Sequence, residues 1–170
     1  IGCGSCPTCE KGDTNLCEAP QSLGVFQDGG YAEYLLIPDY KFLAKISGID
    51  LEGAASLACS GLTAYTAVKK ALSNSPENIL IVGAGGLGLM AVQITKALSN
   101  ANIICADLDD GRLKKAKEFG ANNIINTNAI GYGQPEPSKN IMSICNEKGV
   151  DSILDFVNAP PTVKLDLSVI

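Results

Sequence analysis

Four cysteines crowd the start of the chain. Cys3, Cys6, Cys9 and Cys17 follow the pattern C-x2-C-x2-C-x7-C. Thiolates so close in sequence can surround one tetrahedral Zn²⁺ without a packed core to hold them. Gly2, Gly4 and Pro7 permit the tight turns that this spacing needs. Four sulfurs leave the metal no open position, so the expected role is structural: binding locks a loop that has few apolar residues to bury. A disulfide pair and an iron–sulfur cluster are the competing readings. Disulfides are rare in cytosolic enzymes, and the spacing departs from the common ferredoxin run. Cys105 lies in an expected buried strand and Cys145 in an expected helix, and both read as small core residues. Cys59 lies at a Ser-Gly break between two helical stretches, and taken alone it too reads as packing.

A second group of residues could hold phosphate. Gly83-Ala84-Gly85-Gly86-Leu87-Gly88 fits G-x-G-x-x-G, directly after the apolar run Ile79–Val82 and at the start of a helical pattern. In that context Gly83 makes the turn and Gly85 lets the backbone approach a pyrophosphate. Gly88 allows close helix–strand packing. The helix N-terminus offers unpaired N–H groups to the phosphates. Asp107 ends the next apolar run about twenty residues on, where a ribose-binding carboxylate belongs. Asp109 and Asp110 follow and no Arg stands next to Asp107, so NAD is expected rather than NADP. The competing reading makes Asp107 a helix cap or turn residue.

The elements that must position these residues are legible in outline. Residues 1–20 have no helix or strand period. Asp28-Gly29-Gly30 signals a turn, and Tyr31–Ile37 and Lys41–Ile46 read as strands. From Leu51 the chain is Ala-rich and helical, with an interruption near Cys59-Ser60-Gly61 and a resumed helix over Thr63–Leu72. Strands are then expected at Ile79–Val82, Ile103–Ala106, Asn123–Asn126 and Ile153–Phe156. They alternate with helices from Leu87 to Leu98, Arg112 to Phe119 and Ile141 to Asn146, with Gly120 as a helix C-terminal glycine and a Gly/Pro-rich loop over Gly131–Ser138. Strands alternating with helices imply α/β architecture with a parallel sheet.

The chain has 170 residues, a net charge of −5 and no histidine. The acidic balance argues against a nucleic-acid surface. There is no apolar run long enough to span a bilayer and no signal-like start. A cytoplasmic protein without nucleic-acid or membrane partners is expected. The chain begins inside a cysteine cluster and ends within a helical or strand pattern, so it reads as an internal fragment.

Taken together, the residues resemble the zinc-containing medium-chain alcohol dehydrogenases. The likeness runs from the cysteine lobe through Gly29-Gly30-Tyr31-Ala32-Glu33-Tyr34, Ala58-Cys59-Ser60-Gly61-Leu62-Thr63-Ala64-Tyr65 and the glycine loop. It continues through Asp107 and Gly120-Ala121 to Gly149-Val150-Asp151 and Asp155-Phe156-Val157. The resemblance implies part of a β-rich, GroES-like catalytic domain with a structural-zinc lobe over residues 1–60. An incomplete Rossmann-type sheet follows over residues 61–170. It makes Cys59 the last ligand of a catalytic zinc, whose other Cys and His ligands belong upstream of Ile1. Thr63 would pack on the nicotinamide, Arg112 would lie near the adenosine ribose, and Val157 would stand beside the nicotinamide ring. Asn158 stands where many members have Gly, and the loop around Tyr132–Pro135 is longer than usual. The implied activity is zinc-dependent hydride transfer between an alcohol or aldehyde and NAD, by a homodimer or homotetramer, with the isolated chain inactive. Two alternatives are an NAD-binding, zinc-stabilised module without catalysis and a zinc-less reductase of the same superfamily.

Overall fold

The computed structural model describes residues 2–128 and 136–170. The chain divides into two compact units, residues 1–49 and 50–170. In the first, helix α1 (Pro7–Glu10) opens with Pro7 at its first position, where a missing N–H costs nothing. A 3₁₀ turn follows over Thr14–Leu16 and another over Tyr40–Phe42. The strands expected at Tyr31–Ile37 and Lys41–Ile46 are not formed. The one bridge here joins Leu23 to Gln27. A strand exists by virtue of its ladder, and no neighbouring segment among the described residues of this unit supplies one. Tyr31, Tyr34 and Leu36 stay exposed as a result.

The second unit begins with α2 (Leu51–Ser56), capped by the Asp50 side chain, which accepts the Gly53 N–H at 2.8 Å. The expected interruption at Cys59 is instead a π turn over Leu57–Gly61, which runs on into α3 (Leu62–Ala71). The helix widens there and does not break. Next come β1 (Asn78–Val82), α4 (Gly86–Leu98), β2 (Asn102–Asp107), α5 (Asp110–Glu118) and β3 (Asn123–Asn126). The unit closes with α6 (Pro137–Ile144), β4 (Ser152–Asp155) and α7 (Pro160–Leu167). All four expected strands are present within a residue or so of their expected bounds. Pro137 and Ser138, expected in the loop, form the first turn of α6. Proline suits that turn because its missing N–H would have no helical partner. Residues 131–135 of that loop lie outside the described residues.

The sheet is parallel throughout, in the order β3-β2-β1-β4. Alternation along β1 sorts its side chains to two faces. Ile79 and Ile81 pack with Ile103, Cys105, Ala64, Val68, Ala91, Val92 and Ala116, which brings α3, α4 and α5 onto one face. Leu80 and Val82 pack with Ile104, Ala106, Ile125, Ile141, Cys145 and Val169 on the other. A sheet covered on both faces needs strands that are apolar at every position, which is why these four runs stood out in the sequence. Each large aliphatic side chain fully buried here contributes about 1.5–3 kcal/mol. The chain steps outward from β1 through β2 to β3, then returns to lay β4 on the other side of β1. That reversal opens a crevice at the carboxyl ends of β1 and β4, where ligands bind in open α/β sheets.

Candidate functional site

The four sulfurs of Cys3, Cys6, Cys9 and Cys17 lie within 4.8 Å of one another. Cys6 and Cys17 Sγ are 3.9 Å apart, and tetrahedral zinc–sulfur bonds of about 2.3 Å imply roughly 3.8 Å between ligands. All four cysteines are free. Backbone N–H groups point at the sulfurs, as a thiolate requires. Cys3 and Ala19 each donate to Cys17 Sγ at 3.3 Å, and Cys9 donates to Cys6 Sγ at 3.5 Å. Hydrogen bonds from the backbone and side chain of Ser5 push the Cys3 thiol down to about 6. The Cys9 N–H holds Cys6 below its usual range. Against a hydrogen bond from the Gly4 backbone, burial and the thiols of Cys6, Cys17 and Cys3 push Cys9 up to about 11. Hydrogen bonds to some sulfurs and burial of another set that spread, and a divalent cation among the sulfurs would favour the thiolate form of all four. The donor set, spacing and geometry fit Zn²⁺.

The glycine turn joins β1 to α4. Gly83 has φ of +91°, and a Cβ there would meet Val157 Cγ2 at 2.7 Å. A Cβ on Gly88 would lie 1.7 Å from the Gly83 carbonyl oxygen, so the first turn of α4 rests directly on the loop. Gly85 and Gly86 face open space, and no side chain caps α4. Its first N–H groups are left for a ligand. Asp107 closes β2 beside this turn. Its carboxylate accepts the Ala84 N–H at 2.6 Å and the Asp109 N–H at 2.9 Å. Asp109, not Asp107, caps α5, accepting the Arg112 N–H at 2.8 Å.

A cleft of about 490 Å³ opens beside that turn. Gly83, Asp107, Arg112 and Val157 all line it, together with Thr127, Thr162 and Lys164. Gly85, Gly86, Leu87, Gly88, Cys59 and Thr63 are not among its lining residues. The volume, the polar rim and the uncapped helix beside it fit a nucleotide. A second hollow, between Leu72 and Asn102, lies at the amino ends of β1 and β2, away from this chemistry.

Cys59 is exposed, in the π turn that packs against α4. Thr63 is also exposed, four residues on, so the two share a face. π turns insert a residue into a helix and recur at functional sites. A helix-period reading cannot see one, although the Ser-Gly pair marked the place. Cys105 and Cys145 are buried, as expected of small core residues.

Sequence reasoning missed the support under Val157. The Asp155 carboxylate accepts the Val157 N–H at 2.7 Å, the Asn158 N–H at 2.9 Å and the Thr162 hydroxyl at 2.7 Å. Asn158 takes φ of +49°, which accounts for its standing where glycine is common. The available signal was Pro160-Pro161 followed by Thr162, a helix start that needs an acceptor beside it.

Residues 86–170 match the zinc-binding dehydrogenase family, and residues 1–48 match the alcohol dehydrogenase GroES-like domain. The chain is 41% identical over 165 residues to an NAD-dependent alcohol dehydrogenase of Saccharolobus solfataricus, covering 96% of this chain and 46% of that protein. Among solved structures it is similar to the alcohol dehydrogenase of Aeropyrum pernix, with TM-score 0.85 and 32% identity over 100% of this chain and 49% of that one. It is also similar to the D-arabinose dehydrogenase of Sulfolobus solfataricus, with TM-score 0.86 and 25% identity over 99% and 52% of the two chains. The chain thus spans about half the length of the relatives it matches.

Proposed function

The chain belongs to the zinc-binding dehydrogenase family, and we propose on that premise that it is part of an enzyme transferring hydride between an alcohol or aldehyde and NAD. The observation that carries the reading is the single cleft that joins the Gly83 turn to the Asp107 carboxylate. Gly83, Gly85, Gly86, Leu87 and Gly88 would seat the pyrophosphate, with the α4 N–H groups facing it. Asp107 would accept the ribose hydroxyls. Its negative charge, with Asp109 and Asp110 nearby, repels a 2′-phosphate and favours NAD. Arg112 would lie near the adenosine ribose and Val157 would stand beside the nicotinamide ring. Thr63 would support the nicotinamide.

Cys3, Cys6, Cys9 and Cys17 would hold a structural zinc, and Cys59 would be one ligand of a catalytic zinc. Zinc supplies Lewis acidity to the alcohol oxygen, and NAD supplies the hydride acceptor. The domain reading assigns residues 1–60 to the catalytic domain and 61–170 to the coenzyme domain. The enzyme would be a cytoplasmic homodimer or homotetramer without membrane or nucleic-acid partners. No described helix is long and apolar enough to cross a membrane. A catalytic zinc needs three protein ligands and an open position. These 170 residues contain no histidine, so the isolated chain is expected to be inactive. The test uses the complete enzyme. Cys59→Ser should lose the catalytic zinc and most NAD-dependent alcohol oxidation while keeping the structural zinc. Full activity in that variant would sink the assignment.

A further inference from the structure

Asp155 and Asp166 are hydrogen-bonding neighbours where α7 packs on β4, and their hydrogen bonds do not balance if both are charged. Asp155 accepts three donors, two of them from the turn that carries Val157. Asp166 Oδ1 is buried and has no hydrogen-bond partner among the described residues. A carboxylate oxygen buried without a donor costs free energy that a proton removes. A neutral Asp166 can donate to Asp155, whose second oxygen already takes the Thr162 hydroxyl. No cation among the described residues is ion-paired with either carboxylate. Lys164 lies on the same helix and lines the cleft, but the one ion pair among the described residues joins Lys41 to Asp39. β4, the strand against α7, presents Asp155 itself.

We propose that Asp166 is a proton-dependent brace for the Val157–Ala159 wall of the nucleotide cleft: protonated, it completes the acceptor set around Asp155, and ionised, it drives the two carboxylates apart and loosens that wall. The inference rests on reading the cleft as the coenzyme site only for its effect on nucleotide affinity. The titration pattern agrees. Burial, the Asp155 charge and the hydrogen bond to Asp155 push Asp166 up to about 6. Burial alone would raise Asp155, but hydrogen bonds from Asn158, Thr162 and Val157 outweigh it and hold Asp155 below its ordinary range. The two protons belong to a coupled pair. Thr162 ties the pair to the first turn of α7, since its hydroxyl accepts the Ala159 N–H at 3.0 Å. Asp166 is thus a positioning residue that touches no ligand.

The test follows the side-chain carboxyl carbons by NMR and the exchange of the Val157 and Asn158 amides, between pH 5 and 7.5. In the wild-type chain Asp166 should titrate well above the ordinary carboxylate range, at about 6, and protection of both amides, corrected for intrinsic exchange, should fall about threefold or more as it ionises. Asp166→Asn supplies a donor at every pH and should keep protection flat. Asp166→Leu should show low protection throughout. Titration of Asp166 in the ordinary carboxylate range would overturn the brace, and so would equal pH dependence in wild type and Asp166→Asn. Adenosine, which has no titrating group in this window and serves as the nucleoside probe, should bind about threefold more weakly at pH 7.5 than at pH 5 in wild type alone. If it binds at neither pH while the amides still follow Asp166, the coenzyme reading fails and the brace stands.

Discussion

A glycine can be required for what it permits or for what it leaves out, and the loop from Gly83 to Gly88 uses both. Gly83 supplies a left-handed φ and Gly88 supplies the absence of a side chain against the Gly83 carbonyl. Gly86 has open space around it. Its lack of a side chain matters only when a ligand arrives. Gly88→Ala should therefore destabilise the sheet unit by about 3 kcal/mol, because backbone must move. Gly86→Ala should melt like wild type yet bind NADH about tenfold more weakly, since a methyl group at the first residue of α4 crowds a ligand facing the open N–H groups there. Urea melts paired with an NADH titration separate the two, and identical melts for both variants would contradict the packing argument. Asp107 carries a separate expectation. Asp107→Gly with Leu108→Arg should reverse the ratio of NADH to NADPH affinity in the complete enzyme. Wild type binding NADPH more tightly would show that the carboxylate does not face the ribose.

At the scale of elements, the cysteine lobe would be held by a metal on its four sulfurs. A four-residue helix and a single 3₁₀ turn are too short to be stable alone. Chelation at neutral pH should release one zinc per chain and expose residues 2–20 to proteolysis, with amide protection in β1–β4 unchanged. Cys9→Ser should do the same, and a lobe that stays protease-resistant after metal removal would rule the scheme out. The lobe, the four strands and the Gly83–Gly88 turn were all legible because each is a local pattern: ligand spacing, unbroken apolar runs, glycines in register. The strands expected at Tyr31–Ile37 and Lys41–Ile46 were misread because alternation shows that a segment could pair, while pairing depends on a partner elsewhere. The π turn at Cys59 shifts the helical period by one residue within an Ala-rich stretch whose period is already weak. Asp155 and Asp166 lie eleven positions apart, and only the packing of α7 against β4 makes them a pair.

For the molecule as a whole, that pair gives stability a direction with pH. Asp166 rises from its ordinary 3.8 to about 6 in the folded chain, so the native state holds a proton that the unfolded chain has released between roughly pH 4 and 6. Where the native state binds more protons, stability falls as pH rises. Asp155 is shifted the other way, and its contribution is lost only as pH falls through its depressed folded value. The sheet unit should thus be most stable on the acid side of neutrality, near pH 4–5. Two pKa units correspond to about 3 kcal/mol, and partial exposure with solvent screening reduces that to about 1 kcal/mol. For a domain of this size that is about 3 °C in melting temperature. Asp166→Asn cannot titrate, so it removes this term; Asp155 loses a coupled neighbour and keeps its three donors, and carboxylates outside the pair and the cysteine lobe stay as they are. Between pH 4.5 and 7 the wild-type melting temperature should drop about 3 °C more than that of the variant, measured by calorimetry on the sheet transition. Parallel curves across that window would mean that Asp166 ionises alike in the folded and unfolded chains, and the coupling to Asp155 would have no thermodynamic weight.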